Sequence, residues 1–267
     1  MTPLLSRVVV ALAALPPLLL AVWLGGWWLF ALCLGAALVA VHEFSALTRP
    51  LRPIVLAAYL GVAAMLVGAA IGGLPWLLGG FLVTPLAAFV LHGLAPSRQP
   101  ATVAIGTTVL GTAWIGFGLG HALLLRDLSP EGFLTLLTVL LTIFAADTFA
   151  YFAGRLFGRH KLAPTISPGK TWEGFVVGTL AAVAVAFFAL YEERDTYLTI
   201  PQALVLGVVV ALAGALGDLF ESALKRDMQV KDTGKLLSGH GGVLDRVDSL
   251  LFALPAAFFL LRAFGYG

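Results

Sequence analysis

Eleven formally charged side chains fall in the thirty-one residues from Asp218 to Asp248, in a chain of 267 residues that is only 11% charged. The stretch carries Asp218, Glu221, Ser222, Lys225 and Arg226, then Lys231, Asp232 and Gly234, then His240, Gly241, Gly242, Asp245, Arg246 and Asp248. Asp218 and Glu221 are three residues apart, as are Asp245 and Asp248, so each pair shares a face if its segment is helical. Two such helices in a hairpin would aim their carboxylates at one point. Like charges gathered in low dielectric repel strongly unless a cation lies between them. Mg2+, a hard ion that shares its sphere between carboxylates and phosphates, is the expected one. Lys225, Arg226, Lys231 and Arg246 would neutralise a polyphosphate, and the glycines would allow close backbone approach. These are the parts of a nucleotide-handling site. Salt bridging alone, such as Glu221 with Lys225 at four apart, accounts for single pairs but not for the Gly239-His240-Gly241-Gly242 run.

Two further polar groups precede this one. Asp147 and Tyr151 are four apart and share a helix face, followed by Gly154, Arg155, Gly158 and Arg159. The two glycines would let the chain leave its helix and approach something closely. Ser167, Pro168, Gly169, Lys170, Thr171, Trp172 and Glu173 then open an apolar span. Pro, Ser and Thr favour a helix start, whose N–H groups bind anions, and Lys170 adds a point charge. Ordinary capping explains the same residues. A P-loop is excluded, because the upstream glycine at the required spacing is missing and no strand precedes it.

The elements that must hold these residues are membrane helices. The chain is 60% hydrophobic with a mean hydropathy of +0.99, outside the range of water-soluble globular proteins. Runs of about 20 apolar residues are long enough to cross a bilayer. Nine are expected, at roughly 7–24, 27–47, 54–73, 75–94, 102–125, 132–153, 174–191, 202–224 and 249–265. The fold class is therefore all-α and polytopic. The first run continues into the second without a convincing cleavage site, so it is read as a helix rather than a signal peptide. A lone Cys33 excludes an internal disulfide. If the nine spans alternate, only Arg126, Arg194 and Arg262 of the sixteen basic residues fall on one face. The positive-inside rule then puts the other face, and the N-terminus, in the cytoplasm.

By texture, residues 1–140 form a transmembrane scaffold and residues 141–267 the catalytic region of one integrated membrane domain. Gly106, Gly111, Gly116 and Gly120 on the fifth span suit close helix packing. His42 and Glu43 end the second span near the cytoplasmic face; joining the polar site and merely sitting at the interface are both open to them. The longest polar connections, about 154–173 and 225–248, are on that face, where function tends to concentrate.

The pattern Ser222-x-x-Lys225-Arg226, Lys231-Asp232-x-Gly234, His240-Gly241-Gly242-x-x-Asp245-Arg246-x-Asp248 resembles the signature of the phosphatidate cytidylyltransferases, or CDP-diacylglycerol synthases. The stretches from Asp147 to Gly158 and from Ser167 to Gly174 are similar to two further blocks of that family. Ser238 stands where the family usually has proline, and Gly169 where a lysine or polar residue is common.

The resemblance implies conversion of CTP and phosphatidate to CDP-diacylglycerol and pyrophosphate. It implies Mg2+ with a second cation nearby, and suggests a homodimer in the inner membrane with its active site facing the cytoplasm. No nucleic-acid partner is expected. On this reading Asp218, Asp245 and Asp248 hold the metal. Lys170, Lys225, Arg226 and Lys231 meet the triphosphate, with Asp232 and His240 beside them. Arg155 takes the lipid phosphate in a pocket shaped by Asp147 and Tyr151. Ser167, Thr171, Glu173, Ser222, Gly241, Gly242 and Arg246 complete the substrate contacts. Two other classes compete. A CTP-dependent lipid-alcohol kinase of the dolichol or phytol type would move the γ-phosphoryl group and release CDP. An ion transporter would line a path at mid-membrane, against which the clustering of charge at one face argues.

Overall fold

A computed structural model describes residues 15–94, 100–129, 131–234 and 241–266. The chain forms two compact units, Met1–Leu124 with Met228–Val247, and Leu125–Asp227 with Asp248–Gly267.

In the first unit, α1 (Leu15–Leu24) passes through Gly25, whose φ of 64° is open to glycine at little cost, into α2 (Gly26–Leu47). A 3-10 turn (Arg49–Leu51) follows, then α3 (Val55–Phe81), α4 (Val83–Leu94) and most of α5 (Ala101–Arg126). Helix α3 is not one rod. Gly73 is non-helical, with φ 68° and ψ −153°. A Cβ placed on Gly80 would lie 2.5 Å from the Ala64 carbonyl oxygen, and one on Gly68 would meet the Trp76 backbone. Sixteen residues of straight helix would separate Ala64 and Gly80 by about 24 Å. Residues 55–72 and 74–94 therefore fold back on each other, with the break where the expected spans 54–73 and 75–94 meet. Helix α5 packs through its glycines. A Cβ at Gly116 would lie 2.5 Å from Met65 Sδ and one at Gly120 2.7 Å from Leu77, whereas Gly106 faces open space.

The second unit holds α6 (Gly132–Phe157), β1 (Lys161–Ala163), β2 (Ser167–Thr171), α7 (Trp172–Leu190), α8 (Ile200–Asp227) and the body of α9 (Leu244–Ala263). Helix α7 presses on α6, since a Cβ at Gly178 would lie 2.6 Å from the Ala146 carbonyl oxygen. Helix α8 approaches α7 at Gly207, where a Cβ would lie 2.7 Å from Val183 Cα. A Cβ at Gly217 would meet the Asp248 carbonyl of α9.

Several boundaries differ from those read in the sequence. Helix α6 continues to Phe157, and Gly154 stays inside it. Its missing Cβ makes room for Thr171 Oγ1, 3.0 Å from where the Cβ would be, and the chain leaves at Gly158 instead. Helix α8 runs to Asp227, so Lys225 and Arg226 occupy its last turn rather than a loop. The Glu221–Lys225 pair at four apart and two cations at the helix C-terminus both favour that extension. The polar connection 154–173 is not wholly irregular. It contains an antiparallel ribbon with Lys161 opposite Thr171 and Ala163 opposite Ser167. Ser167 to Lys170 are thus strand residues, and only Thr171 caps α7, accepting the Gly174 N–H at 3.2 Å.

Six helical stretches among the described residues are long and apolar enough to cross a membrane, the Val55–Leu94 hairpin being counted as one of them.

Candidate active site

Helices α6, α8 and α9 and strand β2 bring four carboxylates and two lysines of the second unit together. Asp218, on α8, binds Lys170 Nζ from β2 at 2.8 Å through Oδ2 and accepts the Ser222 hydroxyl at 3.3 Å through Oδ1. The same Lys170 Nζ lies 3.4 Å from the Ala215 carbonyl oxygen. One turn along α8, Glu221 is 1% exposed and holds Lys225 Nζ at 2.5 Å. Asp248 on α9 accepts its neighbour's N–H, from Ser249, at 2.7 Å. It lies within electrostatic reach of Glu221, Asp218 and Asp147. Asp147 on α6 in turn feels Asp218 and Lys170 and accepts a hydrogen bond from Ser249.

Four carboxylates against two ammonium groups leave this set formally two charges negative. In a low-dielectric setting that excess favours recruitment of a cation. The donors are hard oxygens, the type Mg2+ selects. Among the described residues no three His, Cys, Asp or Glu side chains stand in a ready-made metal-holding arrangement. Lys170 instead supplies the countercharge on Asp218. The donor chemistry of Asp218 and Asp248 fits the expected metal, and the lysine marks where positive charge is wanted.

Around this cluster, several sequence-selected residues have local partners. Arg155 Nη1 donates to Tyr151 Oη at 3.2 Å, both exposed on the last turns of α6. Glu173 accepts the N–H groups of Arg159 at 3.1 Å and His160 at 3.2 Å and contacts His160 Nδ1 at 2.6 Å, tying the end of α6 to the start of α7. Arg226 Nε donates to the Ile166 carbonyl at 3.1 Å, fastening the ribbon turn to the end of α8. Ser167 lies on β2. Lys231 and Asp232, exposed on the segment after α8, belong to the first unit and not to this cluster.

The rest of the signature lies in the first unit. Asp245 Oδ2 accepts three donors: Thr233 N at 3.1 Å, Thr233 Oγ1 at 2.8 Å and Gly242 N at 2.7 Å. Gly241 has φ 76°, and a Cβ there would lie 2.5 Å from Asp245 Oδ2. Arg246 is exposed, and its N–H bonds the Val243 carbonyl at 2.9 Å. Val243 and Leu244 give their N–H groups to the Glu43 carboxylate. Of the two readings open for Glu43, joining the polar segment is the one the geometry supports. His240, like Ser238, falls outside the described residues. Sequence reasoning passed over Thr233 and Ser249 altogether. A hydroxyl beside each conspicuous aspartate was the available signal.

The family model described as "Cytidylyltransferase family" matches residues 5–264, and so spans both units. The chain belongs to the cytidylyltransferase family. A phosphatidate cytidylyltransferase of Pseudomonas aeruginosa is 34% identical over 278 residues, covering 98% of each protein. Two others match more locally. That of Haemophilus influenzae is 45% identical over 128 residues, 47% of this chain and 44% of the relative. That of Bacillus subtilis is 41% identical over 163 residues, 60% and 59% respectively. The stretch shared with these two thus spans about half the length of each relative.

Proposed function

We propose that this chain transfers the cytidylyl group of CTP to phosphatidate. A phosphate oxygen of phosphatidate forms a bond to the α-phosphorus of CTP, the bond from that phosphorus to the β-bridging oxygen breaks, and pyrophosphate leaves with the electron pair. The observation that carries the reading is likeness across 98% of its length to a protein named for this activity. The chemistry of the site agrees. A lipid phosphate is already anionic near neutral pH, so the reaction needs charge cancellation and in-line positioning more than a strong base.

Asp218, Asp245 and Asp248 are the proposed Mg2+ ligands. The metal would supply charge neutralisation at the triphosphate and leaving pyrophosphate; a second cation nearby is part of the same proposal. Lys170, Lys225, Arg226 and Lys231 are assigned to phosphate charge, with Asp232, His240 and Arg246 beside them. The Arg155–Tyr151 pair is assigned to the lipid headgroup. The finer topology is also proposed: nine crossings of the inner membrane, the N-terminus and the site on the cytoplasmic side, and a homodimer. With nine alternating crossings thirteen of the sixteen basic residues would fall on one face, which supports that orientation.

Purified protein in phosphatidate micelles with Mg2+ and CTP labelled at the α or the γ position tests the reaction. Lipid acquiring α label with release of pyrophosphate is expected. Transfer of γ label to an added lipid alcohol would show a kinase instead.

A further inference from the structure

Glu43 stands near the C-terminal end of α2, is 3% exposed, and belongs to none of the three polar blocks that drew the functional assignment. Its carboxylate spans 200 residues of sequence: Oε1 accepts the Val243 N–H at 3.0 Å and Oε2 the Leu244 N–H at 2.8 Å. These donors open α9. First-turn N–H groups have no partner within their own helix and carry its partial positive charge, so a carboxylate is favoured there.

The loop is cut to fit that carboxylate. A Cβ on Gly234 would lie 2.6 Å from Glu43 Oε1, and one on Gly242 would lie 2.5 Å from the Glu43 carboxyl carbon. Asp245 closes the arrangement by accepting from Thr233 and Gly242. Two carboxylates therefore fix both flanks of the signature segment, and the close backbone approach that Gly234 and Gly242 permit is made to Glu43.

We infer that Glu43 is a positioning residue for the transfer reaction. It holds the backbone at Gly234 and from Gly242 to Leu244 so that Lys231, Asp245 and Arg246 stand in register for the nucleotide. The inference rests on the cytidylyl-transfer reading. A residue that merely held the fold together would change how many molecules are active. A positioning residue changes the affinity of each active molecule for CTP.

The test compares wild-type protein, Glu43→Gln and Gly234→Ala in the labelled-CTP assay, with KM for each substrate measured separately. The Gln variant keeps one acceptor but turns an amide N–H toward a backbone N–H. The Ala variant leaves Glu43 ionised and displaces its carboxylate. Losing a charge-assisted hydrogen bond corresponds to about tenfold to a hundredfold, so KM for CTP is expected to rise by at least about tenfold. KM for phosphatidate should stay within about twofold. Either variant that folds can decide the matter. An unchanged KM for CTP, whatever happens to the maximal rate, overturns the assignment of Glu43. Absence of cytidylyl transfer by wild-type protein overturns the functional reading beneath it.

Discussion

Gly178 offers a way to move the site without touching any of its polar groups. A Cβ there would lie 2.6 Å from the Ala146 carbonyl oxygen and 2.8 Å from Ala150 Cβ, on either side of Asp147 in sequence. Ordinary contact begins near 3.4 Å, so Gly178→Ala must open the α6–α7 interface by roughly 0.8 Å, and a backbone carbonyl cannot swing aside as a side chain would. Overpacking of this kind costs about 1–3 kcal/mol, against a gain of at most about 1 kcal/mol from replacing a helical glycine by alanine. Strain wins. A displacement near 1 Å in a positioned site costs about a hundredfold in rate, so kcat should fall by between about tenfold and a hundredfold, with a lower thermal midpoint.

Gly214→Ala is the matched control, since its Cβ would meet Ser249 at an ordinary 3.7 Å. It should keep wild-type kcat and melt slightly higher. The assay is α-label transfer in micelles beside thermal unfolding of the same preparations. Wild-type kcat in Gly178→Ala, or equal damage in both variants, would refute the claim that helix spacing at α6–α7 sets the site.

Other expectations follow from the charge cluster and the cap. Asp248→Asn removes one of four crowded carboxylates while keeping an acceptor for the Ser249 N–H. In metal-free buffer it should raise stability by about 1 kcal/mol, yet abolish transfer; a loss of stability on thermal unfolding would contradict the crowding argument. Chelation by EDTA should stop transfer and added Mg2+ restore it, with Mg2+ raising the thermal midpoint of wild type but not of Asp218→Asn. Retained activity in EDTA would dismiss the metal assignment. Thr171→Ala deletes the cap of α7 and should cost about 1 kcal/mol; an unchanged midpoint would mean that the cap contributes nothing.

The polar blocks and the order of apolar segments were legible because membrane helices announce themselves by length, and charge among them is conspicuous. The turn at Gly73 was readable for the same local reason, as the junction of the apolar runs 54–73 and 75–94. What escaped depends on distant parts of the chain. The place of Glu43 is fixed by donors 200 residues away, and no spacing rule reaches that far. Gly154 looked like an exit because glycine so often ends helices, yet here it makes room for Thr171. The ribbon Lys161–Thr171 escaped because three- and five-residue strands carry little alternation to read. Helices α6 and α8 ran past their apolar stretches since hydropathy marks lipid contact, while helical hydrogen bonding continues until geometry stops it.

The fold-back at Gly73 bears on how the protein is made. Only one residue with non-helical angles separates the arms 55–72 and 74–94, and Gly68, Trp76, Ala64 and Gly80 hold their backbones together. No slack exists for one arm to reach its place while the other waits in water, and neither arm carries an Asp, Glu, Lys or Arg side chain. Two arms so joined are expected to enter the bilayer as a pair, because their contacts join neighbours in sequence and local contacts form fastest. Lengthening this turn with flexible residues would leave the finished contacts intact while letting the arms enter one at a time.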